Sequence, residues 1–368
     1  MLISIAVIRG FQGEIKQKVI GFGSHIQVSS YELTRSMKSQ PIRLSAGRID
    51  SIKALPFVKH VQAFANKPGI LKAGETIEGI VLRGAGPDFD WTRLQSQILR
   101  GSALTWSDSA TSDKLLLGAD LADQLKVDTG DQVVMYFVQK PTRVRKFTIS
   151  GIFNTGLDDV DEVFALADIR HVRKLNNWDA NAVGGYQVQL TSMQAIAPTA
   201  RAVNQLIPAK LQAQSIEELF PQIFDWLGLL NFNVEIILIL MALVASINMI
   251  TALLIMILER TQFIGLLKAL GAANTTVMRI FIYNAAFLIG IGILWGNILG
   301  LSLIFLQDTL GIIKLSEASY YLSVVPVYYE WGLFLAINIG AFLFCALSMI
   351  LPAILVSSVT PVKALRFD

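Results

Sequence analysis

The sequence predicts an integral membrane α-helical bundle with three full spans and a large α+β domain on its extracytoplasmic side. Three observations predict it. Residues 234–258, 280–306 and 331–357 are long apolar runs that hold a single charge between them, Glu235. Residues 24–215 instead alternate short strand-like and helix-like segments with polar turns. Arg260, Lys268 and Arg279 lie in the loop 259–279 and Lys363 and Arg366 in the tail, whereas the loop 307–330 holds only Lys314. Excess positive charge marks the cytoplasmic side.

Composition agrees. Of 368 residues 53% are apolar and only 16% charged, and the mean hydropathy is +0.53, the balance of a membrane protein with a soluble part. A net charge of +3, without a basic patch interleaved with aromatics, gives no reason to expect nucleic acid as a partner. The one cysteine, Cys345, lies inside an apolar run, so no intramolecular disulfide forms.

Taken in order, Leu2 to Ile8 is apolar and has neither a basic n-region nor a small-residue cleavage site. It is too short for a core that takes roughly 20 residues to cross. It reads as the last two turns of a first membrane helix: a fourth, N-terminal span that exports the large domain and is largely missing from this chain. Arg9 to Phe22 follows as an amphipathic helix with Phe11, Ile15, Val19 and Phe22 on one side. Residues 1–23 thus form an entry segment to the α+β domain, 24–215.

Within that domain His25 to Ser30, Val58 to Ala65, Glu75 to Arg83, Lys146 to Ile152 and Tyr186 to Leu190 read as strands. Lys67-Pro68-Gly69, Gly84 to Pro87 and Asp128-Thr129-Gly130 read as turns. Leu44 to Leu55, Trp91 to Leu99, Ala165 to Leu175 and Ala195 to Leu206 read as helices, and Leu115 to Phe137 as strand, short helix, turn and strand. Asn154 to Asp161 reads as a solvated polar loop. Its acidic residues Asp158, Asp159 and Asp161, with Glu162, lack the spacing and glycine of an EF-hand, so no metal is expected there.

Ser215 and Glu218 fit a capping box. They open a stalk helix, 216–233, with Pro221 in its first turns, that runs into the span 234–258. The spans 280–306 and 331–357 follow, separated by an outer loop, 307–330, and ending in a cytoplasmic tail, 358–368. Gly292, Gly296 and Gly300 repeat every fourth residue, as do Gly332, Ala336 and Gly340. Small residues at this spacing let helices pack closely. Asn248, Asn284, Asn297 and Asn338 lie within the spans, either as hydrogen-bonding glue between helices or as a polar substrate path. The aromatics Phe220, Phe224, Trp226 and Phe232 precede the span 234–258 as interfacial anchors, and the family resemblance described below implies contact with an acyl chain as their other role.

The loop 259–279 is more than a linker. Phe263, Ile264, Leu266, Leu267 and Leu270 recur at helical spacing, Gly271 supplies a stop, and Asn274 caps the next helix. The string ERTQFIGLLKALGA resembles the cytoplasmic coupling segment of FtsX/MacB-type ABC permeases, close to ER-x-x-E-I-G-x-L-(K/R)-A-L-G-A. Gln262 and Phe263 depart from it. The likeness extends along the chain. GFQGEIKQKVIGFGSHIQV, GADLADQLKVDTGDQV, FTISGIFNTGLDDVDEVFAL, ELFPQIFDWLGLLNFNVEIIL and PVKALRFD resemble, in the same order, segments of lipoprotein-releasing permeases of the LolC/LolE type. Asp368 stands where Glu is common.

The resemblance implies an extracytoplasmic domain of the MacB periplasmic-core type and a multi-pass position in the bacterial inner membrane. It implies extraction of acylated lipoproteins and their transfer to a periplasmic carrier, driven by a separate cytoplasmic ATPase subunit. Glu259, Arg260, Gly265, Lys268, Ala269, Leu270 and Gly271 are the residues it assigns to ATPase coupling. Its partners are that ATPase, a second permease copy or paralogue, the lipoprotein, the carrier and membrane lipid. The residues themselves contain no G-x-x-x-x-G-K-[ST], and His25, His60 and His171 all lie in the α+β domain, so no catalytic residue is expected. ATP and Mg are expected at the partner, with no cofactor on this chain. The alternatives within the superfamily are an FtsX-like regulator and a MacB-like exporter; outside it, a membrane-anchored sensor or adhesion module without ATPase.

Overall fold

The computed structural model describes residues 1–31, 38–106, 110–316, 320, 322–350 and 352. It comprises two units. A mixed unit contains Glu14–Phe224 and Ser316–Ser323; a helical unit contains Met1–Gly13, Asp225–Leu315 and the chain from Val324 onward.

The chain opens with α1 (Leu2–Gly23), a single unbroken helix that joins the two helical turns expected over residues 2–8 to the amphipathic helix expected over residues 9–22. The mixed unit then runs β1 (Ile26–Ser30), α2 (Ala46–Lys53), β2 (Val58–Ala73), β3 (Thr76–Ala85), α3 (Trp91–Leu94), β4 (Ile98–Gly101) and β5 (Lys114–Gly118). It continues with α4 (Ala119–Leu125), β6 (Gln132–Phe137), β7 (Arg143–Phe153), α5 (Asp158–Asp161), β8 (Phe164–Asp168) and α6 (Ile169–Asn176). It closes with β9 (Gly185–Leu190), α7 (Ile196–Leu206), β10 (Leu211–Ser215) and α8 (Ile216–Leu219).

Six strands close on themselves in the order β2-β3-β8-β5-β7-β6 and back to β2. The fully buried Leu71, Leu82, Leu115, Leu117, Phe137 and Phe147 come from these strands. Strand β6 shows the alternation that faces one side inward: Val133, Met135 and Phe137 are buried, while Gln132 and Tyr136 are exposed. Beyond this ring β9, β1 and β10 extend the sheet from the first half of β2. Strands β1 and β10 are antiparallel neighbours, with Ile26 opposite Ser215, and Ile216 N donates to His25 O at 2.9 Å.

Four local expectations are corrected. Lys67-Pro68-Gly69 is no turn: β2 runs straight through it, and Pro68 pairs with Val81. Val81 N donates to Val163 on the other side, so this is a non-hydrogen-bonded pair and Pro68 points away from β3. There β2 changes neighbour from β9 to β6, and the missing N–H costs no ladder bond. Residues 164–168 are strand, and the helix begins only at Ile169. A central strand buried on both faces reads as a continuous apolar run, which periodicity cannot separate from a helix.

Asn154 to Asp161 is not a solvated loop. Asp161 is 1% exposed and accepts hydrogen bonds from Thr155 N, Thr155 Oγ1 and Gly156 N at 2.9–3.1 Å. Burial nevertheless pushes its carboxyl up to about 6. Finally, no stalk helix runs unbroken from Ser215. The capping box forms, but Phe220 (φ −123°, ψ 56°) leaves helical geometry and a new helix, α9 (Pro221–Glu259), starts at the proline. Proline is favoured in the first position, where its missing N–H would have no partner.

The end of α1 is tied to the sheet within the mixed unit. Gln187 Nε2 donates to Phe22 O at 3.0 Å and Gln62 Nε2 donates to Gln187 Oε1 at 2.8 Å. The buried Arg83 guanidinium lies 4.5 Å from the Phe22 ring and 4.8 Å from that of Phe64. No carboxylate pairs with it among the described residues, and burial pulls it down to about 10.

In the helical unit α9 is followed by α10 (Thr261–Ala269), α11 (Asn274–Leu310) and α12 (Trp331–Ser348). Three of these, α9, α11 and α12, are long and apolar enough to cross a membrane. Residues 325–329 lie across α1: Tyr328 N donates to Ala6 O at 3.0 Å. A Cβ on Gly10 would stand 2.7 Å from Pro326 O, so glycine alone permits this approach.

Candidate functional site

Helix α10 is held between two spans by its own ends. Thr261 Oγ1 donates to the carbonyls of Ile257 and Leu258 at 3.0 and 2.8 Å, groups that the end of α9 leaves open. At the far end Ala272 N donates to Leu267 O and Gly271 N to Lys268 O, both at 3.0 Å. With Gly271 at φ +92°, this is a Schellman stop. The stop consumes Gly271 and Ala272, so the extended cap of α11 falls on Ala273. Asn274, expected as the cap, is the first helical residue.

Ile264, 0% exposed, plugs α10 into a core with Leu253, Ile257, Val277, Phe281 and Met349. Gly265 is buried beside it. The opposite face carries Phe263 (51% exposed), Leu266 (51%) and Leu270 (78%), flanked by Glu259 and Arg260, both exposed and without an ion pair among the described residues. Ala269 and Gly271 are exposed and Lys268 is half-buried. The segment is therefore a rigid short helix that shows apolar side chains outward from a charged rim. Phe263 and Leu266 belong to that face as much as Leu270 does. Their helical spacing signals the helix, but only the packing of Ile264 says which side is out.

The four aromatics are divided between the units, Phe220 and Phe224 in the mixed unit and Trp226 and Phe232 in the helical unit. Trp226 meets Phe11 edge-on at 5.7 Å, beside a hydrogen bond of 2.8 Å from Gln12 Nε2 to Leu227 O. Phe232 is 60% exposed. Of the two small-residue stripes, Gly300 faces Leu2, which a Cβ added there would meet at 3.8 Å, whereas Gly292 and Gly296 open onto hollows of about 260 and 230 Å³. Gly332, Ala336 and Gly340 are exposed, on the face of α12 opposite Phe334 and Asn338. Asn297 Nδ2 donates to Asn338 Oδ1 at 2.9 Å and joins α11 to α12. The tail motif PVKALRFD lies outside the described residues. Among the described residues no group of three or more His, Cys, Asp or Glu is placed to hold a metal ion.

The MacB-like periplasmic core domain family matches residues 1–206, more than half of the chain, and the FtsX-like permease C-terminal family matches residues 235–361. The chain is similar from end to end to proteins named lipoprotein-releasing system transmembrane protein LolC. One is from Xylella fastidiosa, 23% identical over 100% of this chain and 90% of the relative. Another is from Neisseria meningitidis serogroup B, 25% identical over 100% and 91%. A LolE protein from Haemophilus influenzae is 20% identical over 99% of this chain and 90% of its own length. A core-domain match over the mixed unit, a permease match over α9 to α12 and full-length relatives all agree: the chain belongs to the FtsX/MacB-type ABC transporter permease family, as a LolC/LolE-like multi-pass membrane protein with a periplasmic domain.

Proposed function

We propose that this chain is the permease subunit that lifts acylated lipoproteins out of the bacterial inner membrane and passes them to a periplasmic carrier. The observation that carries the reading is the outward face of α10. Phe263, Leu266 and Leu270 stand on a helix locked by Ile264 and the Gly271 stop, a surface suited to an apolar cleft in a cytoplasmic ATPase. Glu259 and Arg260 at its rim orient the docking, and Lys268 and Ala269 complete the contact. Gly265 lets α10 seat deeply against the spans. ATP and Mg belong to the ATPase. This chain supplies the lever: α9 is continuous from Pro221 to Glu259, roughly 58 Å at 1.5 Å per residue, so motion at α10 is carried along one stiff element. The lipoprotein and carrier follow from the end-to-end likeness to lipoprotein-releasing proteins. Phe220, Phe224, Trp226 and Phe232 each offer apolar side chains to acyl chains.

Affinity purification from native membranes in mild detergent, followed by mass spectrometry, tests the reading. An ATPase together with triacylated lipoprotein is the expected result. An ATPase with a cell-wall enzyme instead of lipoprotein converts the assignment to an FtsX-like regulator, and no ATPase at all defeats the coupling surface. Unchanged lipoprotein release in the variant carrying Phe224→Asp and Phe232→Asp removes the acyl-contact role.

A further inference from the structure

Three hydrogen bonds run head to tail across the sheet of the mixed unit. Gln187 Nε2 donates to Phe22 O at 3.0 Å, Gln62 Nε2 donates to Gln187 Oε1 at 2.8 Å, and Asp90 N donates to Gln62 Oε1 at 2.8 Å. Gln62 and Gln187 stand opposite each other on β2 and β9 and are 4% and 1% exposed. The row joins the last turn of α1 to the loop 86–90 ahead of α3. Its ends fix its direction. Phe22 O can only accept and Asp90 N can only donate, so turning either amide over sets donor against donor and acceptor against acceptor.

Each end of the row carries a second attachment. At α1 the ring of Phe22 lies 4.5 Å from the Arg83 guanidinium, so the carbonyl and the side chain of one residue are both held. At the loop, Asp90 Oδ1 accepts from Thr92 N at 3.1 Å and from Thr92 Oγ1 at 2.6 Å, which sets the start of α3. The next residue is Trp91, whose ring packs against Phe89 at 4.7 Å and Trp106 at 5.3 Å. This packing leaves one group unsatisfied. Trp91 Nε1 is buried and has no hydrogen bond among the described residues, a donor that water would satisfy if the cluster opened. His60 and Ala63 also fix the loop, but through Asp88: His60 Nε2 donates to Asp88 O at 2.7 Å and Ala63 N to Asp88 Oδ2 at 2.6 Å. Asp90 N itself is bonded to Gln62.

We propose that the glutamine row is a lock that reads the position of α1 and passes it to the aromatic cluster. With Phe22 seated, every group in the row is paired and the chain of bonds strengthens itself. If α1 withdraws, Gln187 Nε2 becomes a buried donor without an acceptor and the row loses its fixed direction. Asp90 N, α3 and the rings of Phe89, Trp91 and Trp106 are then released. Helix α1 is unbroken from Leu2 to Gly23, and its residues up to Gly13 belong to the helical unit, so displacement of its first half is carried to Phe22 along one helix. The lock lies within the mixed unit and does not depend on what the chain transports.

Hydrogen exchange on the full-length chain in nanodiscs, read by mass spectrometry, tests the lock. Gln187→Met removes both bonds of residue 187 and leaves Gln62 free to hold Asp90. Gly23→Val keeps both glutamines and places a Cβ 2.5 Å from Ile216 Cδ1, which pushes the last turn of α1 off its seat. Each variant is expected to raise exchange of amides 89–92 about fivefold and to leave β5, 114–118, unchanged. Both act on one row, so the double variant exceeds the larger single by about twofold at most. Unchanged exchange at 89–92 in Gln187→Met overturns the lock, and so does an equal rise across β5, which marks general loosening. Effects that multiply to about 25-fold in the double variant make the two sites independent and overturn it as well. Where Gly23→Val does not fold, Gln187→Met alone decides.

Discussion

Truncating Leu266 and Leu270 together to alanine strips most of the apolar surface from the outward face of α10 while leaving Ile264 and the core beneath it intact. Leu266 is 51% and Leu270 78% exposed. Full burial of a leucine is worth about 2 kcal/mol, so covering the exposed half of one and three-quarters of the other contributes about 2.5 kcal/mol to docking. Loss of that amount weakens ATPase binding roughly 50- to 100-fold. The assay is titration of purified ATPase onto the permease in nanodiscs, read by fluorescence anisotropy, with stimulated ATP hydrolysis measured alongside. Leu303→Ala, on the exposed side of α11, is the matched control and leaves affinity unchanged. An affinity within threefold of the parent in the double variant, with the helical unit still folded, refutes the docking face; so does an equal loss in the control.

Gly271→Ala forces a β-carbon into a left-handed conformation, at about 1 kcal/mol, and raises hydrogen exchange of amides 268–272 about fivefold. Asp161 predicts a pH dependence of the mixed unit. Its carboxyl titrates near 6 when folded, above its ordinary 3.8, so the folded state holds the proton more tightly and stability declines as pH rises from about 4 to about 6 and then levels. Urea midpoints at pH 4 and pH 7 read this, and Asp161→Asn flattens the difference. Arg83→Met keeps the volume between Phe22 and Phe64 and removes a buried unpaired charge, so the unfolding free energy of the mixed unit, read from urea titration, stays or rises; a fall of more than about 1 kcal/mol would show that the cation–π contacts outweigh the desolvation.

The membrane spans are legible in the chain because lipid burial admits no charged interruption, a local property of composition. Gly271 is legible because the left-handed turn after a helix is also a local demand. Pro68 misleads: proline signals a turn unless the strand changes neighbour at that residue, and that change depends on where β9 and β6 lie. Residues 164–168 mislead because a strand covered on both faces loses its alternation. At α10 the apolar spacing identifies a helix, but apolar residues lie on more than one side, and only the packing of Ile264 against Val277 and Phe281 turns Phe263, Leu266 and Leu270 outward. The four asparagines of the spans look alike in the sequence. Asn297 and Asn338 pair because α11 and α12 meet there, whereas Asn248 and Asn284 have no hydrogen bond among the described residues.

The pairing of Ile26 with Ser215 has a mechanical meaning. The chain enters the mixed unit from α1 just before β1 and leaves it for α8 and α9 just after β10, so both connections leave adjacent strands at the same end. Force that separates those connections would open β1 from β10 rung by rung, starting at Ile26 and Ser215, the weakest loading geometry of an antiparallel pair because each hydrogen bond bears the load alone. Force that moves both connections together leaves the rungs unloaded and turns the unit as a rigid body. Separation of the two connections is therefore the loading that strains the β1–β10 pair first, and displacement of both in step spares it.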